Sequence, residues 1–276
     1  MWPILKAITG AFDAILTPFS RLHPWVGLAV VSVVTGVGML LIFGKTSNQK
    51  KIAETKDKLK AYVMEMWIFR NSTLVMFSAI GNVLKSNLSY LRHSLRPLVF
   101  LMIPVLIIMV QLGIRYADQP LMPGDRAVVS VKLKEGTVPS TSGLALAAPQ
   151  GVRVMSPALR IDSKGEVDWE IMAEQPGHHQ LVLEAPGETV NKSLDVGPTR
   201  RLGKVSALKP RANSWNAFLY PAEPPIRGDS IIESVSITYP HRELRFLGLT
   251  VHWLLAFFVI SVAAGFALKG VFGIEV

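Results

Sequence analysis

Cysteine is absent from this 276-residue chain, which excludes disulfides, thiolate catalysis and Cys-ligated zinc or iron–sulfur centres. Acid is scarce too: 20 Asp and Glu stand against 29 Lys and Arg, and all charged residues make up 18% of a chain that is 50% hydrophobic. A mean hydropathy of +0.35 is too apolar for an ordinary soluble enzyme of this length, so lipid is expected to be part of the solvent. The net charge of +9 raises nucleic acid as a partner, but the same excess arises when Lys and Arg fix membrane topology. Their placement decides for the second reading, and no DNA partner is expected. No Ser–His–Asp order, paired carboxylates in an apolar setting or phosphate-binding glycine loop can be assembled, so neither an enzyme nor a cofactor is expected.

Three long apolar runs are present. Trp25 to Phe43 and Leu98 to Ile114 carry no charge, and Leu247 to Leu268 is broken only by His252. Each is close to the ~20 residues needed to cross a bilayer. Pro104 is tolerable in the second run because a membrane helix can re-satisfy the freed carbonyl. Between the first two runs lie ten basic residues, among them Lys50, Lys51, Lys56, Lys58 and Lys60, against Glu54, Asp57 and Glu65. By the positive-inside bias this loop is cytoplasmic, which places the N-terminus and the segment from about Tyr116 to Arg245 outside and the tail after Lys269 inside.

The predicted organisation is an interfacial amphipathic helix at 1–24, membrane helices at 25–44, 98–115 and 246–268, a cytoplasmic antiparallel helical hairpin at 45–97, an extracytoplasmic all-β sandwich-like domain at 116–245, and a tail at 269–276. The N-terminal helix rests on Leu5, Ile8, Phe12, Ile15, Leu16 and Phe19 at helical spacing. Asp13 interrupts the stretch and no small-residue cleavage site follows, so it is expected to be retained rather than removed as a signal peptide. In the hairpin, Ile52, Thr55, Leu59, Tyr62, Met66 and Phe69 trace a heptad seam. After a break at Asn71 and Ser72, Leu74, Ile80, Leu84, Leu88, Leu91 and Leu95 offer a second apolar face. Met64, Met66, Met76, Trp67 and Phe69 are expected mainly in the hairpin core, the alternative being an adaptable apolar surface. The Lys-rich face reads as a solvated face touching anionic lipid, or as a docking surface for a ribosome or nascent chain.

The outer segment alternates with period two over Ala127–Leu133, Glu166–Ile171 and Gln180–Glu184, with a further strand from Ile231 to Tyr239. Residues 200–229 read as an irregular, Pro-containing connector with a short helix near Trp215. His178 and His179 invite a metal, but neighbours on a strand point to opposite faces and do not ligate one ion together. No metal site is expected.

Pro24-Trp-Val-Gly-Leu-Ala-Val30 resembles the entry of the first core helix in the Oxa1 superfamily of membrane insertases. The order of amphipathic helix, span, Lys45-Thr-Ser-Asn-Gln49, basic hairpin and second span is similar to that superfamily's three-span branch of archaeal and EMC3-like proteins. The β segment is an addition to that pattern. An Arg often found within the first core helix is missing, since the corresponding stretch reads Gly36-Val37-Gly38. The resemblance implies an insertase-like or chaperone-like protein of a prokaryotic plasma (inner) membrane. Its partners would be the lipid bilayer, nascent membrane proteins or a ribosome, and other membrane-complex subunits. Ser32, Thr35 and Gln111 would line the client groove, and the five hairpin lysines would form the docking face. The alternative is a structural or assembly subunit with a partner-binding β domain. The two differ in whether Ser32, Thr35 and Gln111 face water or are sealed by packing.

Overall fold

A computed structural model describes residues 2–19, 22–68, 73–198, 202–246 and 248–274. Phe69, Asn71, Ser72 and Leu247, and the side chains of Lys51, Ile52, Met66, Leu74 and Met76, lie outside the described residues.

The helices are α1 (Trp2–Leu16), α2 (Pro24–Thr46), α3 (Gln49–Ile68), α4 (Thr73–Tyr116), α5 (Ser214–Leu219) and α6 (Trp253–Leu268). Pro24 opens α2, where its fixed φ suits the helix and its missing N–H is not needed. α4 runs for 44 residues through both Pro97 and Pro104. α2 and the Pro97–Tyr116 part of α4 are long and apolar enough to cross a membrane, each with a mean hydropathy of 2.5. α6 is apolar but has only 16 residues, so it does not complete a clear three-span bundle. The predicted third membrane helix at 246–268 is corrected accordingly: its helix begins at Trp253, and the residues before it pair as strands.

The chain divides into two compact units, one of Met1–Gly27 and Ile108–Trp253, the other of Leu28–Ile107 and Leu254–Val276. The first is built on antiparallel sheets. Its strands are β1 (Arg126–Leu133), β2 (Ala145–Ala147), β3 (Val152–Val154), β4 (Leu159–Ile161), β5 (Glu166–Ala173), β6 (Gly177–Ala185), β7 (Glu188–Val196), β8 (Leu208–Pro210), β9 (Ile232–Ile237), β10 (Leu244–Phe246) and β11 (Leu249–Val251). One sheet has the order β3-β5-β1-β9-β8 with β4 also on β5, a second has β2-β6-β7, and β10-β11 is a separate hairpin.

Period-two alternation explains the core. Ala127, Val129, Val131 and Leu133 of β1 are buried, as are Val167, Trp169, Ile171 and Ala173 of β5, and the register sets Val129 opposite Trp169 and Val131 opposite Val167. Leu181, Leu183, Val190 and Leu194 from the second sheet belong to the same apolar cluster. Each such side chain contributes about 1.5–3 kcal/mol by leaving water. The connector near Trp215 does form a helix: α5 is capped by the Asn213 side chain, which accepts the Asn216 amide at 2.6 Å.

In the second unit, Thr55, Leu59 and Tyr62 form a half-buried stripe on α3, in keeping with the heptad reading. The expected second face differs. Ile80 is half-buried, but Leu84, Leu88, Leu91 and Leu95 are exposed, while Val83, Ser86 and Tyr90 take the more covered side of α4. α2 and α6 meet closely: a Cβ placed on Gly36 would stand 2.1 Å from the Ser261 carbonyl oxygen, whereas one on Gly38 would meet nothing within 4 Å. Gly36 therefore serves helix packing.

Candidate functional site

Three features collect polar or chemically distinctive side chains. The first lies in the β-rich unit, where α1 meets the last turns of α4. Gln111 Nε2 donates to Thr9 Oγ1 at 2.9 Å, and Arg115 donates to the Gln111 carbonyl at 2.6 Å and to Asp13 Oδ1 at 2.5 Å. Lys204 donates to the other Asp13 oxygen at 2.6 Å. Arg115 and Gln111 are buried. A charge removed from water needs a counter-charge and further hydrogen bonds, and Asp13, Gln111 and the Thr9 carbonyl supply both. Burial pushes the Asp13 carboxyl up, but Lys204 and Arg115 outweigh it and hold it below its ordinary value. Tyr116 closes the group by donating to the Pro24 carbonyl at 3.2 Å.

Beside it is a cavity of about 590 Å³ lined in part by Asp13, Lys204, Ser193, Asp195 and His178. His178 Nδ1 contacts Asp195 Oδ1, and His179 instead engages the Gln175 carbonyl at 2.9 Å, so the two rings face different partners. Burial pushes the Asp195 carboxyl up against the pull of His178, and burial also raises the Tyr239 phenol, whose oxygen accepts the Asp195 amide at 3.1 Å. Behind this wall lies a buried ionic network. Lys192, on the inward face of β7, donates to Glu223 Oε1 at 2.5 Å and to the Ser206 carbonyl and hydroxyl. Ser193 Oγ donates to Glu223 Oε2 at 2.9 Å, Lys209 stands 3.5 Å from that oxygen, and Lys209 also donates to the Asn191 carbonyl at 2.5 Å. Burial alone pushes the Glu223 carboxyl up; Lys192, the Ser206 hydroxyl and Lys209 outweigh it and hold it below the usual carboxylate range.

The residues predicted to line a groove are all buried. Ser32 donates to its own helix at the Leu28 carbonyl, 2.6 Å away, Thr35 is covered, and Gln111 is engaged by Thr9. Of the predicted docking lysines, Lys50, Lys58 and Lys60 are exposed, with Lys60 3.4 Å from Asp57, and Lys56 is half-buried.

The third feature lies in the same unit as those lysines. Met64 and Trp67, expected mainly in the hairpin core, are 65% and 74% exposed, and Val63 and Ile68 beside them are exposed as well. With Leu84, Leu88, Leu91 and Leu95 of α4 they leave large apolar surface on helices outside the two candidate spans. Exposed apolar surface of this extent is characteristic of sites that bind another protein or a membrane.

The polar cluster was not predicted as a site. Its signal was present in two opposite charges, Asp13 and Arg115, each placed in an otherwise apolar segment where it needs a mate. The Lys192–Glu223 network left a fainter trace: Lys192 occupies a position that period two assigns to the core, where a charge needs a mate, but nothing local names Glu223.

No protein-family model and no curated protein matches this sequence. Among solved structures, the crystal structure of the S-layer protein rSbsC(31-844) is similar over 49% of this chain and 22% of that one, at 12% identity and a TM-score of 0.24. The chain thus spans about a fifth of that protein's length, and a likeness of this degree carries no argument about fold or function.

Proposed function

We propose that this chain is an integral membrane protein of the insertase-like or chaperone-like class, related to the three-span branch of the Oxa1 superfamily, and that it receives apolar segments on the exposed face of α3 and α4. The observation that carries this reading is the exposure of Met64 and Trp67 among lysines, outside the candidate spans. Met is unbranched and polarizable and adapts to varied apolar partners, while Lys58 and Lys60 on the same helix hold such a surface in solution and near anionic headgroups. In this reading α2 and the Pro97–Tyr116 segment cross the inner membrane, α6 makes the third crossing, and the lysine-bearing helices lie in the cytoplasm. Capture rests on the helical surface, not on a water-filled groove at Ser32, Thr35 and Gln111.

The test is a photo-crosslinking amino acid at position 64 or 67 in membranes programmed to synthesise a single-span protein. Adducts to the nascent apolar segment, lost when that segment is made polar, are the expected result. Labelling of lipid alone at both positions refutes it.

A second reading is favoured by the burial of Ser32, Thr35 and Gln111 together with the Gly36 contact. In it the chain is a structural or assembly subunit, with helices that pack as an anchor and an outer β domain that binds other subunits. Crosslinks from β-domain surface positions to a stable membrane partner, with none from 64 or 67, would decide for it.

A further inference from the structure

The β10–β11 hairpin is amphipathic. Its register pairs Leu244 with Val251, Arg245 with Thr250 and Phe246 with Leu249, so alternation puts the apolar pairs on one face and Arg245 and Thr250 on the other. Leu244 is buried, but Phe246 and Leu249, at the tip, are 56% and 71% exposed. Gly248, at φ +85°, makes the tight turn between them. Such a tip is costly in water, and among the described residues Trp25 packs against it. The Trp25 ring lies 5.6 Å from that of Phe246, and its indole N–H donates to the Arg245 carbonyl at 2.9 Å.

That contact ties the tip to the first residues of α2. Trp25 belongs to the first turn of α2, a candidate span, and the hairpin runs directly into Trp253, the first residue of α6. With 16 residues, α6 covers about 24 Å of a hydrocarbon core of about 30 Å. The apolar run in the sequence extends further, and its missing length is in the hairpin. A two-stranded hairpin has unpaired backbone on its outer edges and is excluded from the hydrocarbon centre, but Trp, Phe and Arg together suit the headgroup boundary.

We infer that the tip of β10–β11, with Trp25, is a lipid-seating element: Phe246 and Leu249 enter the interfacial zone of the bilayer and complete the third crossing that α6 leaves short. The partner is the lipid surface. The inference rests on the membrane reading proposed above, and the experiment separates the two.

Because the chain has no cysteine, single cysteines can be placed at Phe246, Leu249, Thr250, Phe258 and Lys164 and labelled with an environment-sensitive fluorophore, with the full chain in phosphatidylcholine–phosphatidylglycerol nanodiscs. Quenching is read from lipids carrying a nitroxide near the headgroup and from aqueous iodide. Labels at 246 and 249 are expected to shift to the blue, to be quenched by the lipid nitroxide and to lose iodide quenching, whereas 250 and 164 behave as water-exposed. Phe258, exposed within α6, reports on the membrane reading itself. Lipid contact at 258 with iodide access at both 246 and 249 overturns the lipid-seating inference alone. Iodide access at 258 as well overturns the membrane reading and the inference with it. Using two tip positions guards against one replacement disturbing the turn.

Discussion

Removing the Glu223 charge should destabilise the β-rich unit more than removing Lys192, although the two form one ion pair. The cluster holds two lysines and one carboxylate, and the distances show how they share it: Lys192 at 2.5 Å and Lys209 at 3.5 Å. In Glu223→Gln, Lys192, which is fully buried, keeps the Ser206 carbonyl and hydroxyl, a neutral amide and the more distant charge of Asp195, with a second ammonium nearby. Breaking a buried pair this way costs about 3–5 kcal/mol. In Lys192→Met the stem is replaced by apolar volume, and Glu223 retains Lys209 and the hydroxyls of Ser193 and Ser206. The cost there is about 1–2 kcal/mol, that of a partly unmet acceptor. At roughly 4 °C per kcal/mol for a unit of this size, the melting midpoint should fall by about 12–20 °C and about 4–8 °C respectively. The assay is thermal unfolding of the detergent-solubilised full chain, followed by its β-sheet circular dichroism. Equal losses, or the reverse order, would refute the assignment of Glu223 as the shared centre.

The same carboxylate sets a pH dependence. Its folded value lies below the usual carboxylate range, so the stability it contributes is present above that range and lost as pH falls through the folded value; Glu223→Gln should lack this acid limb in a pH series of melting curves. Gly36→Ala should loosen the α2–α6 contact because its Cβ meets the Ser261 carbonyl, and Gly38→Ala should not, which size-exclusion monodispersity after heating will distinguish. Asp13→Asn should weaken α1 docking by about 1.5–3 kcal/mol through loss of charge-assisted hydrogen bonds, seen as faster amide exchange in α1 with the sheets unchanged. Trp67→Ser should leave the melting midpoint within about 0.5 kcal/mol of the parent, as for a surface change, yet reduce nascent-chain adducts from position 64.

The strands were legible because one face of each is buried, so hydrophobicity repeats every second residue, as in Val129-Ser130-Val131. The first two apolar runs were legible by length alone. The third was misread over Gly248 to His252 because hydropathy does not separate a strand from a helix, although Gly248 marks the turn. Apolar spacing likewise assigned Leu84 to Leu95 to the inside of a helical pair. Spacing says that a helix has an apolar stripe, not which neighbour covers it. The polar clusters were legible only in part: Asp13 and Arg115 each stand as a charge in an apolar segment, but that they meet each other and Lys204 is decided by the folded chain.

The position of β7 has a bearing on how this domain meets other chains. It is the edge of the β2-β6-β7 sheet, where free backbone groups would accept a foreign strand. Four of them are already taken. The Asn191 carbonyl accepts Lys209, the Ser193 amide donates to Glu223, the Asp195 amide donates to Tyr239, and the Asp195 carbonyl accepts the Leu121 amide. The buried ion pair thus also serves as a guard rail, denying this border to strand addition. A partner that recognises the domain by extending a sheet is directed to another margin, and loss of Glu223 would open this one to self-association.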